Sequence, residues 1–67
     1  MMVRLPMVAV IAPDGHRSYW VAAVEPENAT EAVARVVGDG QNIRLLQHRL
    51  RMKSDALRPG EVRRLGL

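Results

Sequence analysis

One stretch of the chain combines a helix start signal, a helical hydrophobic period and a helix stop signal. Asn28 stands three positions before Glu31, the spacing of a capping box, and Pro26 offers an alternative start in the first turn. Glu31 and Arg35 have the i, i+4 spacing of a helical ion pair. Gly38 stands where a residue of positive φ would end the helix. The predicted apolar stripe consists of Ala29, Ala32, Val33, Val36 and Val37.

The segment before this helix has the pattern of a β-hairpin. Residues 3–12 are dense in β-branched and apolar side chains, and Pro6 predicts that the regular strand begins near Met7. Residues 13–15, Pro-Asp-Gly, are typical of a three-residue hairpin loop, and residues 18–24 form the returning strand. With Ala12 opposite His16, the predicted cross-strand pairs are Val10 with Ser18, Ala9 with Tyr19, Val8 with Trp20 and Met7 with Val21.

Both faces of this hairpin are apolar, which is unusual for a small antiparallel sheet that one helix can cover on one side only. One face carries Val8, Val10, Trp20, Ala22 and Val24, and the other carries Met7, Ala9, Ile11, Tyr19, Val21 and Ala23. The uncovered face needs the C-terminal segment, a second copy of the chain or another protein. With the helix over Trp20, the predicted protein interface is Met7, Ile11, Tyr19, Val21 and Ala23; with the helix on the other face, it is Trp20 with Val8 and Val10.

The segment at residues 42–52 fits either a strand or a helix, and the helical alternative has a seam of Ile43, Leu46, Leu50 and Leu57. We favour a strand, parallel to the second strand and beside the first, because a two-stranded sheet is marginal. Pro59 and Gly60 predict a type II turn, and residues 61–65 a short final strand or an extended tail. The expected fold class is α+β: one domain over residues 1–67, in the order β-β-α-β, with one helix on one face of a single-layer sheet.

Size and composition limit the possible functions. The chain has 67 residues, no cysteine and only two aromatic side chains, so its core is thin and oligomerisation is a plausible remedy. No signal peptide is recognisable, and no apolar run approaches the roughly 18 residues of a membrane span, so we expect a cytoplasmic protein. Lysine accounts for one of the ten basic residues, a bias typical of a GC-rich bacterial genome.

Charge divides the chain into two parts. Residues 1–40 carry three basic and five acidic side chains, a net charge of −2, whereas residues 41–67 carry seven basic and two acidic ones, a net charge of +5. Basic side chains on one face can neutralise nucleic-acid phosphates. The candidate nucleic-acid-binding residues are Arg44, Arg49, Arg51, Lys53, Arg58, Arg63 and Arg64. No known nucleic-acid-binding motif accompanies them, and Tyr19 and Trp20, as neighbours in a strand, point to opposite faces.

The sequence contains no recognisable catalytic or metal-binding motif. His16 and His48 lack a local ligand pair or a nucleophile motif, and the glycines after the helix do not follow a strand as a phosphate loop would. We therefore predict no enzyme activity, cofactor, metal or small-molecule substrate. The predicted function is a small non-catalytic interaction module, a homodimer or the partner of a small protein, joined through the apolar sheet face or a strand edge. The alternative is a nucleic-acid-binding protein that uses residues 41–67.

Overall fold

The protein is a four-stranded antiparallel sheet with one helix on one face, and its computed structural model describes residues 1–66. The elements are β1 (Met2–Ile11), β2 (Arg17–Ala22), a 3-10 turn (Pro26–Asn28), α1 (Ala29–Val37), β3 (Asn42–Lys53) and β4 (Val62–Leu65). The strands lie in the order β3-β1-β2-β4, and each neighbouring pair is antiparallel. The α+β class is confirmed.

The hairpin has the predicted loop and register. The backbone N–H of Ala12 donates to the carbonyl oxygen of His16 at 2.8 Å, which leaves a three-residue loop. Gly15 in this loop has φ +92°, a conformation that glycine adopts without a Cβ penalty. The predicted pairs, from Met7 with Val21 to Val10 with Ser18, are all present. The two faces of the hairpin are therefore those expected from the sequence.

The start of β1 differs from the prediction, because the strand begins at Met2 and not near Met7. Pro6 lies within it, opposite Arg49 of β3. The pairing shifts between Pro6 and Val8, where the three β3 residues 46–48 lie opposite Met7 alone. Proline occurs in strands beside such bulges because the regular ladder of hydrogen bonds is interrupted there.

The third segment is a strand, as favoured above, and lies beside β1 and parallel to β2. The prediction of three strands in the order β-β-α-β is wrong, because Val62–Leu65 forms a fourth strand paired with β2. The predicted type II turn leads into it: Glu61 N–H donates to Arg58 O at 2.9 Å, and Gly60 has φ +84°. Hydrogen bonds between Ala23 and this turn continue the β2–β4 pairing, so the final segment is held as a strand.

The helix begins differently from the capping-box prediction. Asn28 makes no side-chain capping bond, and the 3-10 turn that begins at Pro26 leads directly into α1. This agrees with the alternative start at Pro26. The predicted ion pair of Arg35 with Glu31 is present, at 2.7 Å. The helix ends at Gly38, whose N–H donates to the carbonyl oxygen of Ala34 and whose φ is +84°.

The helix packs on the face of the hairpin that carries Trp20. The buried cluster consists of Val8, Val10, Ala22, Ala29 and Val33, with Trp20, Val24, Val37, Ile43 and Val62 partly buried against it. Val36, predicted to belong to the packed stripe, is 56% exposed. The nine-residue helix buries only a narrow strip against the sheet, the i, i+4, i+8 row of Ala29, Val33 and Val37, so Val36 falls outside the contact.

Candidate nucleic-acid interface and open sheet face

The strands β1 and β3 form a two-stranded ribbon that extends beyond β2. The last β1–β2 pair is Met7 with Val21, whereas β1 pairs with β3 as far as Met2. In this ribbon Arg4 lies directly opposite Arg51, and Arg49 occupies the neighbouring pair on the same face. The three arginines, together with Gln47 and His48, line one open cleft, which we call the basic ribbon face.

The arginines of the basic ribbon face have no acidic partners within residues 1–66. The ion pairs of this part of the chain join Asp14 with His16, Glu31 with Arg35 and Glu61 with Arg63. Directly opposite residues of two antiparallel strands have Cβ atoms about 5 Å apart, and like charges on such a pair are unfavourable. The register therefore pairs two cationic residues, and no carboxylate within residues 1–66 forms an ion pair with either of them.

The length of the helix explains why this face stays open. Nine helical residues span about 14 Å, whereas ten strand residues span about 33 Å. The helix packs on Val8 and Val10, near the hairpin end of β1. Side chains alternate along a strand, so Arg4 lies on the same side of β1 as these valines. It is four residues beyond Val8, outside the part of the strand on which the helix packs.

The other predicted basic residues do not join this face. The order β3-β1-β2-β4 places the strand of Arg63 and Arg64 at the opposite edge of the sheet from Arg49 and Arg51. The remaining predicted residues also lie elsewhere: Arg44 opposite Ala9 on the other sheet face, Lys53 at the end of the ribbon opposite Met2, and Arg58 in the turn before β4. Leu67, the last residue of the basic half, lies outside the described residues.

Arg4 is the member of the basic ribbon face that sequence reasoning missed. It belongs to the N-terminal half, whose net charge is negative, and a strand predicted to begin near Met7 leaves it unpaired. The signal that could have found it is the pairing of β1 with β3, but a regular register carried from Val8 opposite Leu45 would place Arg4 opposite Arg49. The bulge at residues 46–48 moves it opposite Arg51.

The sheet face away from the helix carries the predicted protein interface. Tyr19 is 42% exposed, and Met7, Ile11 and Ala23 are partly exposed, whereas Val21 is fully buried. The pairing of β4 with β2 adds Leu65 opposite Tyr19 on this face. Leu65, Met7 and Tyr19 line a shallow groove there. The accessible apolar surface is therefore centred on Tyr19, Met7 and Leu65, and we call it the open sheet face.

The two strand edges are poorly suited to pairing with another chain. The outer edge of the sheet at β3 contains the bulge at residues 46–48 and the basic side chains Arg49, Arg51 and Lys53. The other edge, β4, is four residues long and includes Arg63 and Arg64. Short length, bulges and charged side chains are the features by which strand edges avoid aggregation.

Two carboxylates have lowered pKa values because they accept hydrogen bonds. In the hairpin loop, Asp14 accepts the backbone N–H of His16 at 3.0 Å and contacts its Nδ1 at 2.8 Å, and these bonds lower the pKa of Asp14. In the turn before β4, the backbone N–H of Arg58 donates to Glu61 at 2.9 Å and is the main cause of the lowered pKa of Glu61. Through these hydrogen bonds, both carboxylates stabilise the loops in which they lie.

The architecture defines a small α+β protein with an antiparallel sheet in the order β3-β1-β2-β4 and one helix. Within residues 1–66, no group of three or more histidine, cysteine, aspartate or glutamate side chains is arranged to hold a metal ion. In the same residues, no helix is both long and apolar enough to cross a membrane. Comparisons with protein-family models, with curated protein sequences and with solved structures found no match.

Proposed function

We propose that this protein is a non-catalytic module that binds nucleic acid through the basic ribbon face. One observation carries the proposal: Arg4 lies directly opposite Arg51, with Arg49 in the neighbouring pair, and no carboxylate within residues 1–66 forms an ion pair with any of them. A polyanion placed on this face would convert a repulsive arrangement into an attractive one.

A polymeric anion suits this surface better than a small one. The cleft between the arginines is open to solvent and lined by long polar side chains, without the apolar walls that bury most of a small ligand. Arg49 and Arg51 are two positions apart on one strand face, about 7 Å, so the cations form a short row. A row of cations on an open surface can contact several phosphates of one backbone.

Salt-dependent binding by matched charge variants tests this function. We expect the wild-type protein to bind a labelled 20-base-pair DNA in fluorescence anisotropy. Three phosphate contacts give a slope of log K against log salt of about −2.7, which is roughly a 40-fold loss of affinity between 50 and 200 mM salt. The variant with Arg4→Gln, Arg49→Gln and Arg51→Gln should lose this binding and its slope.

The control variant removes the same charge elsewhere. Arg17→Gln, Arg44→Gln and Arg64→Gln lie outside the basic ribbon face, so this triple variant should retain most of the affinity and the slope. Equal losses in the two triple variants would mean that net charge alone drives binding, and the assignment to this face would be wrong. A protein that binds no nucleic acid even at 50 mM salt would refute the proposed function.

A second candidate function, self-association, is favoured by the open sheet face. Tyr19 is a large side chain that stays 42% exposed beside Met7 and Leu65, in a groove that Arg17 and Arg64 also line. An exposed aromatic side chain with apolar and arginine neighbours is typical of protein interfaces. In this proposal, a second copy of the chain or a small protein partner covers the face. The charged strand edges make the sheet face, and not an edge, the proposed contact.

Light scattering distinguishes this candidate. If the open sheet face joins two copies, Tyr19→Asp should convert a dimer to a monomer, whereas Val36→Asp on the exposed side of the helix should not. Val21→Asp is unsuitable as a test, because Val21 is fully buried in one copy and a carboxylate there would unfold it. A dimer that survives Tyr19→Asp with its fold intact would reject this face. Either partner is consistent with the cytoplasmic location expected from the sequence.

A further inference from the structure

We infer that the ligand of the basic ribbon face is double-stranded nucleic acid, bound through its phosphate backbone and not through its bases. This inference rests on the proposed function and specifies its ligand. It follows from the location of Tyr19 and Trp20 relative to the arginines, and from the higher charge per unit length of a duplex compared with a single strand.

Single-stranded nucleic acid is bound chiefly by aromatic side chains on which unpaired bases stack, supported by a basic groove. Neither aromatic residue of this protein lies on the basic ribbon face. Trp20 packs against the buried cluster under the helix, and its Nε1 donates to Ser18 Oγ at 2.9 Å. Tyr19 lies on the opposite side of the sheet from Arg4 and Arg51, since Trp20 and Val8 share the helix side. An unpaired base at the basic ribbon face would meet neither the indole nor the phenol ring, and the imidazole of His48 is the one ring among the residues that line the cleft.

Duplexes also present more charge to a short row of cations. Double-stranded DNA carries one negative charge per about 1.7 Å of its axis, whereas each strand alone carries one per about 3.4 Å. The arginines of the basic ribbon face are fixed to two paired strands, so a flexible single strand would lose conformational freedom in following their row, whereas a duplex is already rigid. A rigid surface of this kind fits a rigid, densely charged partner.

The bulge adds two exposed polar side chains to this surface. Residues 46–48 bring Gln47 and His48 to the rim of the cleft that Arg4, Arg49 and Arg51 line. These side chains can hydrogen-bond to phosphate or sugar oxygens, which positions a protein without specifying sequence. We therefore expect binding that depends on the duplex form and on salt, and little on base composition.

Competition between nucleic-acid forms tests the inference. Anisotropy is measured at 50 mM salt with a 20-base-pair DNA duplex, a 20-base-pair RNA duplex and a 20-nucleotide single strand of mixed sequence. We expect each duplex to bind at least tenfold more tightly than the single strand, and a duplex of different base composition to bind within about threefold. Tyr19→Ala should leave duplex affinity unchanged.

Equal affinity for the single strand and the duplexes, or a loss of binding in Tyr19→Ala, would overturn the duplex inference while the proposed nucleic-acid function stands. Binding to vesicles of anionic phospholipid, with none to any nucleic acid, would refute both. Loss of duplex binding in Arg4→Gln, measured on protein with an unchanged circular dichroism spectrum, would confirm that the ribbon holds the site.

Discussion

The opposed arginines predict that one charge reversal stabilises the fold while it removes part of the proposed nucleic-acid-binding surface. Arg51→Glu places a carboxylate directly opposite Arg4. Cross-strand charge pairs change stability by about 0.2–1 kcal/mol, favourable for unlike charges and unfavourable for like ones. Reversing the sign should therefore raise the free energy of unfolding by about 0.5–1.5 kcal/mol at low salt. Since a chain of 67 residues has a total stability of roughly 3–10 kcal/mol, the change is measurable.

Thermal and urea denaturation followed by circular dichroism, at 20 mM and at 500 mM salt, measure this effect. In a domain of this size, 1 kcal/mol shifts Tm by about 4–8 °C. The gain should shrink at 500 mM salt, because the Debye length then falls to about 4 Å. The double variant Arg4→Glu with Arg51→Glu restores repulsion and should lose the gain.

Arg17→Glu is the matched control for the opposed pair, because it makes the same change in net charge opposite the apolar Ile11. A general relief of positive charge would stabilise it as much as Arg51→Glu. Repulsion between Arg4 and Arg51 would be ruled out if the free energy of unfolding of Arg51→Glu did not exceed that of Arg17→Glu at 20 mM salt, or if the double variant were as stable as Arg51→Glu alone.

Other predictions concern the helix, one turn and two carboxylates. Val33→Ala should lower the free energy of unfolding by about 2–3 kcal/mol, because two fully buried methyl groups are lost, whereas Val36→Ala at a 56% exposed position should change it by less than about 0.5 kcal/mol; urea denaturation measures both. Gly60→Ala should lower the free energy of unfolding by about 1–2 kcal/mol in the same assay. The added Cβ would meet no atom within 4 Å, so the positive φ is the one feature that opposes the substitution. Hydrogen bonds lower the pKa of Asp14 and Glu61 in the folded state, so these bonds stabilise the fold above the ordinary pKa values of 3.8 and 4.5, and the stabilisation is lost as pH falls through the lowered values. Carboxyl NMR titration should give midpoints for both groups below those of the unfolded chain. Midpoints at or above the unfolded values would contradict these contacts.

Local turn chemistry made the hairpin predictable from the sequence. A three-residue loop with Gly15 at the position of positive φ sets the register of β1 and β2, and the alternation of side chains then determines both faces. The helix was predictable for a similar reason, since its end at Gly38 and its ion pair depend on residues within one or two turns. Each of these features is decided by neighbours in the sequence.

The candidate site was less predictable because it depends on contacts between distant residues. The pairing of Arg4 with Arg51 requires a bulge in β3, and no local residue pattern predicted this bulge. The fourth strand depends on a turn at Gly60 that returns the chain to β2, at the edge of the sheet opposite β3. As a result, the basic half of the sequence is divided between two edges of the sheet, and a stripe that is continuous in sequence is not continuous in space.

The ribbon of β1 and β3 extends past the part of the sheet that the helix covers, and its two faces differ. One face carries the apolar pairs Leu5 with Leu50 and Val3 with Met52, which favour strand pairing. Leu57 is buried and lines the same cleft as Val3 and Leu5, so this face of the ribbon contributes to stability. The other face places Arg4 against Arg51, and neither has an acidic partner in residues 1–66. A like-charged pair on a face that the helix leaves open, beside apolar pairs that hold the ribbon together, is the feature expected of the proposed polyanion-binding surface.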